Sequence, residues 1–196
     1  SDAAMYGVAY NLAMILTFVL NAINNSYVPW YYEKIKSGRQ YENKKGSVAI
    51  GILMAVLLLT VIWFAPEIIH IMAGKKYEPA IGVVAPVAMS LFLLYYAQLF
   101  INVEFYYEEK KSLIWASLGS AIVNVLLNAL LIPTLGFVAA GYTTFVSYLI
   151  FVFANYVAMK ALLKRRGLKD DSYNYKLLLC IFVGFVVIGF LGVVLY

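Results

Sequence analysis

Few residues of this chain have side chains suited to chemistry. There is one histidine, His70, and one cysteine, Cys180. A Ser–His or Cys–His mechanism would have to use His70, and a lone cysteine allows neither an intrachain disulfide nor a cysteine-rich metal site within this sequence. Glu67 and Glu78 lie near His70, a sparse ligand set, and no metal or cofactor is expected. Glu104 closes a charge-free stretch and reads as an interfacial carboxylate beside Lys110 and Lys111. Amides are more frequent in apolar surroundings: Asn11, Asn21, Asn24, Asn25, Gln98, Asn102, Asn124, Asn128 and Asn155. Asn21 and Asn25 are four apart, as are Asn124 and Asn128, so each pair shares one face of a helix. An amide both donates and accepts, so it can bind a hydroxyl-rich ligand without a fixed charge. Such faces serve either to join helices or to line a wet cavity. Asn21, Asn25, Gln98, Asn102, Asn124 and Asn128 are the cavity-lining candidates, and the spacing leaves both uses open.

The elements that carry these amides are set by charge. Of 196 residues, 64% are apolar and 13% charged, against about 25% charged in a typical soluble domain. Every Lys, Arg, Asp and Glu falls outside five windows, 3–32, 46–66, 79–103, 112–159 and 177–196. A helix needs about 20 apolar residues to cross a bilayer. The fourth window is 48 residues long, and Pro133-Thr134-Leu135-Gly136 divides it. Backbone polar groups cannot stay unpaired in lipid, so these runs must be helical. The fold class is therefore all-α, a polytopic membrane bundle with six transmembrane helices at about 4–28, 47–65, 80–103, 113–132, 137–160 and 177–196.

Basic residues orient the bundle. Lys34, Lys36, Arg39, Lys44 and Lys45 follow the first helix; Lys110 and Lys111 follow the third. Lys160, Lys164, Arg165, Arg166, Lys169 and Lys176 follow the fifth, while Lys75 and Lys76 stand alone on the opposite side. Positive loops stay in the cytoplasm, so both ends of this stretch are expected outside. The net charge of +5 then reflects loop orientation, and no nucleic-acid partner is expected. Membrane lipids are the expected surroundings, with residues 34–45 and 160–176 facing anionic headgroups. Trp30-Tyr31-Tyr32, Phe105-Tyr106-Tyr107, Trp115, Tyr175 and Trp63 cluster at loop edges, where amphipathic rings settle in the headgroup region.

Pro29, Pro66, Pro79 and Pro133 are expected to terminate helices. Pro86 falls inside the third helix and is expected to kink it, either as a fixed bend or as the break of a moving helix. Small-xxx-small pairs such as Ala116/Ser120 and Ala140/Thr144 favour close packing of the fourth and fifth helices. Residues 65–79 are amphipathic and should include a short helix lying in the interface. The chain starts on Ser1 and ends while still apolar, at Leu191 to Tyr196, as expected for a piece of a longer protein.

Several of these stretches resemble one family. Ala3-Ala4-Met5-Tyr6-Gly7-Val8-Ala9-Tyr10, leading through Asn21-Ala22-Ile23-Asn24-Asn25 to Pro29, is similar to a segment of bacterial polysaccharide flippases. Ala65-Pro66-Glu67-Ile68-Ile69 followed by Gly74-Lys75-Lys76-Tyr77-Glu78-Pro79-Ala80 resembles the family's "AP.II…G..Y..A" outer loop. Asn124 to Gly141 is the best match, to "N..LN..LIP..G..GAA"; Val138 stands where the family usually has Gly, and Gly141 follows the alanines. The family is the O-antigen, capsule and teichoic-acid type of flippase in the multidrug/oligosaccharidyl-lipid/polysaccharide exporter superfamily.

The resemblance implies about 12–14 helices in two lobes related by a pseudo-two-fold along the membrane normal, with this stretch as part of the second lobe, helices eight to thirteen. It implies a bacterial cytoplasmic-membrane flippase with lipid-linked oligosaccharide as substrate and a missing N-terminal lobe as partner. In relatives, cationic residues in a central cavity meet the pyrophosphate. No Arg or Lys lies mid-span here, so that contact is carried onto no residue of this chain. The alternatives are a multidrug or toxin extruder of the same superfamily, and a membrane-embedded sugar-polymer enzyme. An extruder calls for a buried carboxylate for cation coupling, and the sequence shows none. An enzyme calls for an acid or base near a membrane face, and only His70, Glu67, Glu78 and Glu104 qualify, too few for a triad. A non-enzymatic transporter is the expectation.

Overall fold

The computed structural model describes residues 2–194. They form seven α-helices: α1 Asp2–Lys36, α2 Asn43–Trp63, α3 Ala65–Ala73, α4 Ile81–Tyr106, α5 Lys111–Leu135, α6 Ala139–Arg165 and α7 Tyr175–Val194. Short 3₁₀ turns at Gln40–Glu42 and Lys75–Ala80 complete the connections. All except α3 are long and apolar enough to cross a membrane, giving six spans. The outward surface agrees with that reading: Phe18, Val125, Leu130 and Phe153 are each at least 66% exposed, and exposed apolar side chains of this density suit hydrocarbon rather than water.

Four helices run beyond their expected ends, α4 to Tyr106 and α6 to Arg165 among them, and the extensions of α1 and α5 pass through a proline. α1 continues through Pro29 to Lys36 instead of stopping near residue 28. The added turns carry Tyr31 into the core, where its ring lies 5.7 Å from Tyr27 and 6.0 Å from Tyr173. This burial outweighs the one backbone hydrogen bond that Pro29 removes. α5 likewise includes Pro133 and runs to Leu135. The stop is set by Gly136, whose φ of 77° is left-handed and favours glycine.

The buried centre of the bundle is α4. Nearly every residue from Val83 to Glu104 is buried, because α1, α2, α6 and α7 pack around it. α5 lies along the outer side of α6, and α7 along α2. Pro86 sits within a continuous α4 and packs against α6 at Gly141, where an added Cβ would come within 2.8 Å of the Pro86 ring. Glycine permits this close approach of the two helices.

The connection between the second and third spans contains the expected amphipathic helix, α3. Ile69 is buried with Leu12, Ala80 and Val84, while Ile71 is 85% exposed. The aromatic pattern is only partly peripheral. Trp30, Trp63, Phe105 and Trp115 face outward, whereas Tyr31 and Tyr173 are core residues. Tyr173 lies outside the spans, and burial pushes its hydroxyl well above the ordinary tyrosine range. It stays protonated and donates to the Leu99 carbonyl of α4 at 2.6 Å.

Candidate functional site

Between α1 and α5 a groove of mixed polar and apolar lining runs along the bundle, floored by α4 and α6. Its first part is a hollow of about 420 Å³ bounded by Ser117, Ser120 and Asn124 of α5, and by Thr144, Ser147 and Tyr148 of α6. Its second part, about 470 Å³, places Thr17 and Asn21 of α1, Ser90 of α4, and again Thr144 and Tyr148 among apolar residues such as Met14, Phe18 and Leu91. The shared Thr144 and Tyr148 make the two hollows one groove. No Asp, Glu, Lys or Arg lines either part. Several of the hydroxyls are already engaged with their own helix: Thr17 donates to Ala13, Ser90 to Pro86 and Ser147 to Thr143. Their oxygens remain acceptors for a bound group.

Asn124 is the best-placed amide. Asn128, one turn further along α5, donates to Asn124 Oδ1 at 3.0 Å and accepts from the Thr143 hydroxyl of α6. Asn128 thus links α5 to α6 and orients its neighbour, leaving the Asn124 NH₂ facing the groove. Across the groove, Asn21 accepts from Gln98 Nε2 at 3.0 Å. The buried Gln98 Oε1 has no partner. Asn102 is buried and donates to Asn24 at 2.9 Å, so it joins α4 to α1 from within. Asn25 is exposed and makes no side-chain hydrogen bond among the described residues. The structure therefore places Asn21 and Asn124 on one groove, with Gln98 joining α4 to Asn21, and uses Asn102 and Asn128 between helices.

Glu104 differs from its expected setting. It is not an interfacial carboxylate beside Lys110 and Lys111: it is 1% exposed and accepts from the Ser112 hydroxyl of α5 at 2.6 Å. Its other oxygen has no partner, and it forms no ion pair. The reason is that α4 extends to Tyr106, so that the start of α5 covers Glu104. Helical spacing carried the signal: Glu104 lies four residues beyond the buried Phe100 and seven beyond the buried Ala97. The adjoining turn is fixed from outside by α6. Arg165 pairs with Glu109, and Arg166 donates to the Tyr107 carbonyl at 2.9 Å while lying 5.2 Å from the Tyr107 ring. Burial beside Tyr106 raises the Tyr107 hydroxyl against the opposing pull of Arg166.

Among the described residues, no three His, Cys, Asp or Glu side chains are grouped to hold a metal. His70 Nε2 is buried without a partner, and Cys180 is exposed on α7.

No family model, curated protein or solved structure matches this chain. The fold itself defines the class: an all-α, multi-pass membrane protein with six spans.

Proposed function

We propose that this chain is one lobe of an alternating-access transporter, and that it carries the sugar head of a lipid-linked oligosaccharide across a bacterial cytoplasmic membrane. The groove between α1 and α5 is the observation that supports it. A polyhydroxylated head cannot cross hydrocarbon unaided, and a lining of amides and hydroxyls offers it hydrogen bonds in place of water. The exposed apolar Val125 on the flanking α5 leaves a lipid tail in the bilayer beside the head. The motif resemblance from Asn124 to Gly141 supports the same reading, with a companion lobe closing the groove. Both ends of the stretch lie outside in this reading. No catalytic step is assigned to it.

The test is thiol access. With Cys180 replaced by Ser, Asn124→Cys in the full-length protein should react with a small water-soluble thiol reagent, and lipid-linked sugar should slow that reaction. Asn124→Leu should abolish transport at a normal protein level. A position 124 that stays unreactive in every transport state means that a further helix fills the groove, and the reading fails.

A second reading, a multidrug or toxin extruder, is favoured by Glu104, because a buried carboxylate without a cation partner suits cation coupling. It requires Glu104→Gln to uncouple export from the ion gradient, whereas the flippase reading places substrate contacts at Asn124.

A further inference from the structure

A second groove lies on another face of the bundle, between α6 and α7. Both helices pack against α4 and leave a hollow of about 290 Å³ floored by Tyr96 and Phe100. Its walls are Val152 and Tyr156 of α6, and Leu179 and Phe182 of α7. Unlike the first groove, it offers apolar surface throughout. Two of its three tyrosine hydroxyls are committed elsewhere: Tyr96 donates to the Leu178 carbonyl at 2.7 Å, and Tyr175 donates to Asp170. Tyr96 and Tyr175 therefore turn mainly their apolar bodies inward. The groove opens sideways onto Phe153 and Leu179, which are 66% and 61% exposed, so a chain can enter it from the surrounding hydrocarbon.

One end of the groove is marked by charge. Lys160 Nζ lies 5.9 Å from the Tyr156 ring and 5.3 Å from the Tyr175 ring, closing that end, and its charge is paired with Asp170. Two further cations lie close to that end along the helices. Lys164 follows Lys160 by one helical turn on the same face, and Lys176 adjoins Tyr175. Both are exposed, and neither is paired with a carboxylate among the described residues.

We propose that the α6–α7 groove is a binding site for an anionic phospholipid, with one acyl chain along Tyr96, Phe100 and Phe182 and the phosphate against Lys164 and Lys176. Charge complementarity selects this occupant. An apolar slot closed by Lys160, with the unpaired Lys164 and Lys176 adjoining that end along the helices, fits a tail joined to a net negative headgroup. A zwitterionic lipid brings a cation to the same place. A transmembrane helix would leave both lysines uncompensated.

The experiment uses the full chain with its tryptophans replaced by Phe and a single reporter, Phe182→Trp, reconstituted into phosphatidylcholine containing phosphatidylglycerol with brominated acyl chains. Bromine quenches tryptophan on contact, so the mole-fraction dependence gives relative binding. Phosphatidylglycerol should be preferred up to about thirtyfold over phosphatidylcholine, as expected for two lysines near the headgroup. Lys164→Gln with Lys176→Gln should bring the preference to unity, and a reporter at Val125, on the far side of α5, should show none. If Phe182→Trp does not fold, Leu179→Trp reports on the same groove. Equal quenching by both lipids, or a preference that survives loss of the lysines, overturns the proposal. Absence of quenching also overturns it, by showing that a second copy or another helix covers the groove.

Discussion

Asn128 and Asn124 stand one turn apart on α5, and the amide of Asn128 donates to Asn124 Oδ1 at 3.0 Å. The two residues share a face and a chemistry but not a role. Asn128 also accepts from Thr143 on α6, so it belongs to the helix interface. Asn124 ends the chain of hydrogen bonds at the groove surface. Asn128→Leu should therefore lower stability by about 1–2 kcal/mol, and Asn124→Leu by well under 1 kcal/mol. Thermal unfolding of the purified variants in detergent reads the difference. Equal losses at the two positions would assign both amides to the interface.

Glu104 has one hydrogen bond, from Ser112, and one oxygen without a partner. A buried charge without a counter-ion is costly, whereas an amide of the same shape is not. Glu104→Gln should keep or raise the melting temperature, while Ser112→Ala should lower stability by about 1 kcal/mol. A large loss for the Gln variant would show that the negative charge itself is needed in the fold.

Gly141 meets the Pro86 ring so closely that a Cβ would lie 2.8 Å from Pro86 Cγ, whereas Gly119 on α5 has open space at that position. Gly141→Ala should cost about 1–3 kcal/mol by overpacking the α4–α6 contact. Gly119→Ala should be tolerated. The same unfolding assay compares them, and an innocuous Gly141→Ala would mean that α4 and α6 can separate freely.

The orientation inferred from basic loops predicts labelling. Ser37→Cys and Lys169→Cys, both exposed, should react only from the cytoplasmic side in a Cys180-free chain, and Lys76→Cys only from outside. These sites are preferable to Gly38 and Gly167, whose φ values of 69° and 65° strain any side chain. Labelling of position 37 by an impermeant reagent in intact cells would reverse the topology.

The six spans were legible because charge is excluded from hydrocarbon. The gap between Glu78 and Glu104 outlines α4, and the gap between Lys45 and Glu67 outlines α2, without any knowledge of neighbours. The amphipathic α3 was legible for a related reason, the alternation of apolar and polar residues near Ile69. Composition cannot say which side of a span meets protein and which meets lipid, since both are apolar. That choice was left to packing. It put α4 at the centre and α5 at the edge, carried α1 through Pro29 so that Tyr31 reached Tyr173, and covered Glu104 with the start of α5. It also separated the amides, placing Asn102 and Asn128 between helices and Asn124 on a groove. Four-residue spacing puts two amides on one face of a helix, but only the neighbouring helix determines what that face touches.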